Sequence, residues 1–331
     1  MHITYLLGEN LPISVTVVLF AVGIFLIVKG GDFFVDAASW IAEVSGIPKL
    51  IVGATVVSFA TTLPELLVSV FAAVQGNVDI AIGNAVGSVT ANIGLIMAIA
   101  LICIPTAIKR SDYMLKTVLM LLAAGILAIL GISGNSAVGI VPSILLLVIF
   151  TVSTADNVKN AVKNMKNGEN ERIAISGGAE ILKNIAKFVG GAAAIVVGAD
   201  LLVDNGSALA GAIGVPDRII AVTFVAIGTS LPELVTTVTA IIKKQASLSA
   251  GNIIGANIID LTLILPLCSI ISGKALPIEG TAGLVDIPAS LIVGAAAMIP
   301  ALITGKFHRW QGILLLGLYA VYLFLTIAVF G

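Results

Sequence analysis

Apolar residues run almost unbroken through ten stretches of the chain, roughly 13–28, 50–74, 80–104, 114–130, 137–154, 188–203, 219–242, 248–271, 285–303 and 311–330, and polar residues gather between them. About 20 apolar residues in an α-helix cross a hydrocarbon core of ~30 Å. Only helices and closed barrels satisfy their own backbone groups in lipid. The pattern is continuous rather than alternating, so it predicts an all-α integral membrane protein with ten transmembrane helices. The first stretch lacks a small-residue cleavage site and is read as an uncleaved helix.

Composition agrees. Residues of the AVILMFWYC class make up 59% of the chain and charged residues 11%, against about 45–50% and about 25% in soluble domains. No aqueous surface can be built from this, and no soluble class fits. Charge placement sets the orientation, because basic residues collect in cytoplasmic loops. With the N-terminus outside, only Arg218 and Lys274 of the 17 basic residues fall on the outer side. One missed span would scramble that count. The placement predicts a multi-pass protein of the cell membrane, N-terminus outside. Cys103 and Cys268 then lie toward opposite faces, so no disulfide is expected between them.

The chain also contains itself twice. Shifted by 168 residues, positions 30–96 match their counterparts at 23 of 67 places. Asp32 and Asp36 meet Asp200 and Asp204, Pro48 meets Pro216, and Thr61-Thr62-Leu63-Pro64-Glu65-Leu66 meets Thr229-Ser230-Leu231-Pro232-Glu233-Leu234. Gly83, Asn84 and Gly87 meet Gly251, Asn252 and Gly255. Apolar composition can match Leu to Leu but cannot hold Asp, Pro, Glu and Asn in one register. Five spans in each half turn the second copy over in the membrane. The organisation expected is an inverted repeat of residues 1–155 and 181–331, with repeat motifs at 53–96 and 221–264, around a cytoplasmic linker at 156–180. The linker is read as a solvated loop. The alternative is a short interfacial helix, suggested by Val158, Ala161, Val162 and Met165 among lysines.

Three ionisable residues lie near mid-span: Glu65, Glu233 and Asp260. Asn92 holds the repeat position of Asp260. Each such group costs ~2.5–3.5 kcal/mol to insert, and no basic residue is expected at their depth. Protonated acids bonded between helices would be a structural reading. Symmetric glutamates in a repeat favour a binding site for hard cations, which take oxygen ligands. Pro64 and Pro232 have no N–H, so the carbonyls of Ala60 and Gly228 lose their helical partners. Thr61 and Thr229 stand one turn before the glutamates on the same face. Ser88 and Asn92, four apart, put two oxygens on one face. Asn84 and Asn252 suit ligation or hydrogen bonds between helices, and the second role is the one expected. Glycine pairs 83/87 and 251/255 form stripes for close helix approach.

At these residues the chain resembles the cation/calcium exchanger superfamily, in its prokaryotic sodium/calcium exchanger branch. Gly228-Thr229-Ser230-Leu231-Pro232-Glu233 and the stretch from Gly251 to Asp260 match the family's repeat motif. The resemblance implies ten helices, with helices two, three, seven and eight as the core and helices one and six sliding across it. It implies calcium held mainly by Glu65 and Glu233, with backbone oxygens of Thr61 and Thr229 beside them. Sodium sites would draw on Thr62, Ser88, Ser230 and the glutamates, and Asn92 and Asp260 would complete the centre. The first repeat departs with Ala60-Thr61-Thr62 for Gly-Thr-Ser, and Ala256 stands where the pattern has Ser.

The function expected is therefore an antiporter and not an enzyme, exchanging sodium for calcium at a midplane carboxylate site. Its partners are these ions and the lipid bilayer, with no cofactor and no nucleic acid. A proton/calcium exchanger is the nearest alternative and a cation channel a further one. The chain has no Gly-x-x-x-x-Gly-Lys-Ser/Thr loop, against an ATP-driven pump. Its histidines, His2 and His308, sit near the termini, against a hydrolase with a core base.

Overall fold

The computed structural model describes residues 12–132, 137–167, 177–213, 228–278 and 282–328. The described chain is helical apart from one short ribbon. In order, the helices are α1 (Ile13–Ser45), the broken helix α2 (Lys49–Thr61 and Leu63–Val74), α3 (Ile80–Cys103), α4 (Arg110–Ile132), α5 (Ile140–Asn167), α6 (Gly178–Ala212), α7 (Leu231–Ile242), α8 (Ala246–Ser272), α9 (Ala282–Thr304) and α10 (Arg309–Ala328). Eight of the described helices are long and apolar enough to cross a membrane, or up to nine with the bent pair of α2 counted as one span. The first part of the seventh predicted stretch, residues 219–227, lies outside the described residues, as do Arg218 and residues 168–176 of the linker.

Three helices outrun their hydropathy windows. Helix α1 has 33 residues and α6 has 35, about 50 Å each at 1.5 Å per residue. Such lengths fit a ~30 Å core only with steep tilt or with an end outside it. Lys29 closes the apolar window, yet the helix continues because its second half packs inward. Phe34, Val35, Ala37 and Ala38 are fully buried. Helix α5 likewise runs to Asn167, so the linker opens as helix rather than loop. Its Val158 and Val162 are exposed. Lys116, counted among the inner flanking charges, is buried inside α4. Its Nζ donates to Asn157 Oδ1 and lies 3.6 Å from Asp156 Oδ2 on α5.

The contacts exchange under the 168-residue shift. Helices α1 and α6 pack along one another backbone to backbone. A Cβ on Gly23 would come 2.9 Å from the Gly198 carbonyl oxygen, and one on Gly30 equally close to that of Gly191. Gly23 and Gly191 are counterparts, as are Gly30 and Gly198. The two close approaches are therefore one contact seen twice, which is what an inverted repeat requires. Helices α2 and α8 cross as tightly: a Cβ on Gly251 would lie 2.1 Å from the Leu50 carbonyl oxygen.

The loops pair by face. The ribbon joins β1 (Ala137–Val138) to β2 (Leu276–Pro277), antiparallel, between the α4–α5 and α8–α9 connections. Ala107 and Lys306 form a bridge between the α3–α4 and α9–α10 connections, with Ile108 N donating to Gly305 O and Phe307 N to Thr106 O, each at 2.9 Å. In the predicted alternation the first pair of loops shares one face of the membrane and the second pair the other. At the second face Lys243 joins the α7–α8 connection to α1, 2.8 Å from Asp36 Oδ1 and 3.3 Å from Asp32 Oδ1. Cys103 and Cys268 are both free thiols.

Candidate cation site

The site is built on a break in a helix. Thr62 leaves the helical path with φ −85° and ψ 0°, and the two parts of α2 meet at a bend of 46°. Pro64 restarts the helix in its first turn, where its missing N–H costs nothing. The chain does the same at Ser230, φ −87° and ψ 5°, followed by Pro232. Each break places a glutamate, Glu65 or Glu233, in the first turn of the helix that follows. The positive end of that helix dipole favours an anionic side chain there. Asn92 and Asp260 each open a π-helical turn within α3 and α8, a local widening that is frequent at functional positions.

Hydrogen bonds tie the two halves together in matching pairs. Thr61 Oγ1 donates to Asn252 Oδ1 at 3.2 Å, and its counterpart Thr229 Oγ1 donates to Asn84 Oδ1 at 3.1 Å. Both asparagines thus bond between helices, as expected. With their hydroxyls engaged, Thr61 and Thr229 have backbone oxygens left to offer. Asn84 Nδ2 donates to Ser69 Oγ and to the Glu65 carbonyl. Thr62 Oγ1 donates to Glu233 Oε1 across the halves at 3.3 Å.

Glu65, Glu233, Asp260, Asn92, Thr61, Thr62, Ser88 and Ser230 are all buried; Ala60, Gly228 and Thr229 are partly exposed. Among the described residues, no donor reaches either carboxylate oxygen of Glu65 or of Asp260, nor Oε2 of Glu233. Among the described residues, no basic side chain lies within ion-pair distance of the three acids. The three are close enough for their charges to act on one another. Buried carboxylates are normally hydrogen-bonded or paired. Five of their six oxygens are acceptors without donors, which suits a desolvated cation. Among the described residues, no three His, Cys, Asp or Glu side chains gather as a metal cage. The centre is of mixed donors instead: carboxylates, hydroxyls and freed carbonyls.

Ser88 is buried on α3 one turn before Asn92, and no hydrogen bond joins it to either glutamate. Sequence reasoning passed over Asn257. Fully buried, it accepts at 3.1 Å from Asn92 Nδ2 while its own amide donors stay unpartnered. Its counterpart is Val89, so the repeat carried no signal for it. Thr236 and Thr237, one turn beyond Glu233, are also fully buried with unpartnered hydroxyls. Their signal was a polar pair in an apolar span.

Comparison with known proteins gives concordant likenesses. A family model described as sodium/calcium exchanger protein matches residues 15–156 and 183–328. An uncharacterised membrane protein of Methanocaldococcus jannaschii is 32% identical over 303 residues, covering 91% of this chain and 95% of the relative. The sodium/calcium exchanger MaX1 of Methanosarcina acetivorans is 31% identical over 356 residues, covering 94% and 98%. A crystal structure of the sodium-calcium exchanger NCX_Mj, soaked with sodium and strontium, superposes with a TM-score of 0.80 at 30% identity, covering 94% of this chain and 98% of that one.

Proposed function

Because the chain belongs to the sodium/calcium exchanger family, as a membrane antiporter rather than an enzyme, we propose that it exchanges sodium for calcium by alternating access at the buried carboxylate centre. One observation carries the reading: Glu65 and Glu233 are buried at two symmetric helix breaks with no basic partner among the described residues, and of their four carboxylate oxygens only Glu233 Oε1 meets a donor.

Calcium is the substrate that Glu65 and Glu233 hold, with the carbonyls of Ala60, Thr61, Gly228 and Thr229 filling its shell. Two glutamates balance one divalent ion. Sodium ions replace it at the same carboxylates, aided by Thr62, Ser230 and Ser88. Asn92 and Asp260 complete the centre. Unloaded, the site keeps uncompensated charge that resists closure away from water, so the protein changes face only when loaded. That condition makes an exchanger rather than a channel. The first half is residues 1–155 and the inverted second half 181–331, joined by a cytoplasmic linker at 156–180.

Calcium uptake into proteoliposomes tests the exchange, with sodium and proton gradients imposed separately. Flux should need an opposing sodium gradient. Flux driven by protons alone gives the proton/calcium reading instead, and flux independent of any counter-ion gives a channel. Orientation is tested by single cysteines in a cysteine-free background. A cysteine at Lys274 should react with an impermeant reagent from outside the cell, and one at Lys163 only after the membrane is opened. The reverse result would invert the topology.

A further inference from the structure

A groove of about 750 Å³ follows the crossing of α1 and α6. Its floor is made of small residues, Gly191 and Ala194 where the helices meet and Gly190 beside them in open space, and Phe25 and Phe33 stand exposed along it. Three lysines line the same groove: Lys29 from α1, and Lys183 and Lys187, one turn apart, from α6. Among the described residues, no carboxylate lies within ion-pair distance of any of them. Asp32 also lines the groove, but its carboxylate is 3.3 Å from Lys243. The groove therefore carries excess positive charge beside an apolar floor.

Depth sharpens the point. The paired glycine contacts, 23 with 198 and 30 with 191, place the centre of the crossing between them. In an inverted repeat that centre lies at mid-membrane. Lys29 is then about one turn from the middle, on the side toward the basic loops. An ammonium there, facing hydrocarbon, is costly unless an anion comes to it. Lys183 and Lys187 continue the positive track toward the membrane surface. In a bilayer, an anion that brings its own apolar chain is a phospholipid.

We propose that this groove binds an anionic phospholipid from the leaflet facing the basic loops. Its phosphate lies on Lys29, Lys183 and Lys187, and one acyl chain rests on the small-residue floor between α1 and α6. The lipid bridges the two helices, and a zwitterionic headgroup, with its own cation, is a poorer fit to three lysines.

The test is native mass spectrometry of the purified full-length protein after incubation with equal amounts of phosphatidylglycerol and phosphatidylcholine. The parent protein should retain phosphatidylglycerol in preference. The triple variant Lys29→Gln, Lys183→Gln, Lys187→Gln should retain at least tenfold less. Gly190→Leu keeps every charge, and a Cβ at Gly190 meets no atom within 4 Å, so the new side chain fills the groove without disturbing the crossing. It should displace the lipid as well. Lys159→Gln, an exposed lysine on α5 away from the groove, should change nothing. Absence of headgroup preference, full retention by Gly190→Leu, or equal loss with Lys159→Gln would each overturn the proposal. Should the triple variant fail to insert, Gly190→Leu alone decides.

Discussion

At the scale of single residues, the proposed calcium site would ask different things of its three acids. Glu65 and Glu233 match the charge of one calcium ion. A third ionised carboxylate would leave the loaded centre net negative in a medium of low dielectric constant. Asp260 is therefore expected to be neutral when calcium is bound and to act much as Asn92 does at the equivalent position. Glu65→Gln and Glu233→Gln should each cut calcium flux by ~100-fold or more, since an unbalanced buried charge costs several kcal/mol. Asp260→Asn should keep substantial flux. Proteoliposome uptake of the three variants side by side is the check, and equal loss in all three would show Asp260 working as a charged ligand. The pairing of glutamates, threonines and prolines at the candidate site was legible in the sequence because the repeat displays each of them twice. Asn257 was not, since it is present in one half only, and its partnership with Asn92 arises where α3 and α8 meet.

At the scale of elements, the helices were legible wherever hydropathy alone decides and illegible where packing takes over. The window that ends at Lys29 marks where the unbroken apolar run stops; it is silent about the largely buried half of α1 that follows. The breaks at Thr62 and Ser230 could be read from proline, whereas the π-helical turn at Asn92 had no such punctuation. Crossings made through glycine lend themselves to a direct test. At Gly251 a Cβ would sit 2.1 Å from a carbonyl oxygen of α2, so Gly251→Ala must push α2 and α8 apart. Overpacking of this kind costs ~1–3 kcal/mol. Gly125→Ala on α4 is the comparison, because a Cβ there meets no atom within 4 Å and alanine is the better helix former. Thermal melting in detergent should fall clearly for the first and hold or rise for the second. Equal melting temperatures would mean that the α2/α8 crossing is looser than the structure has it.

At the scale of the whole molecule, the two connections that bridge across each face have a mechanical consequence. Helix α4 is bounded by the α3–α4 and α4–α5 loops, and α9 by the α8–α9 and α9–α10 loops. The ribbon Ala137–Pro277 and the bridge Ala107–Lys306 therefore fasten α4 to α9 at both ends. These two helices are counterparts under the 168-residue shift. Neither can ratchet past the other without breaking backbone hydrogen bonds on both faces at once. In the proposed exchange they would be the stator, the fixed body against which other helices work. The α1/α6 pair meets through bare glycine backbone. Spin labels at Ser111 on α4 and Ile303 on α9 should hold one distance in sodium and in calcium. If that distance changes with the ion, the frame itself moves, and the rigid reference for transport must lie elsewhere in the bundle.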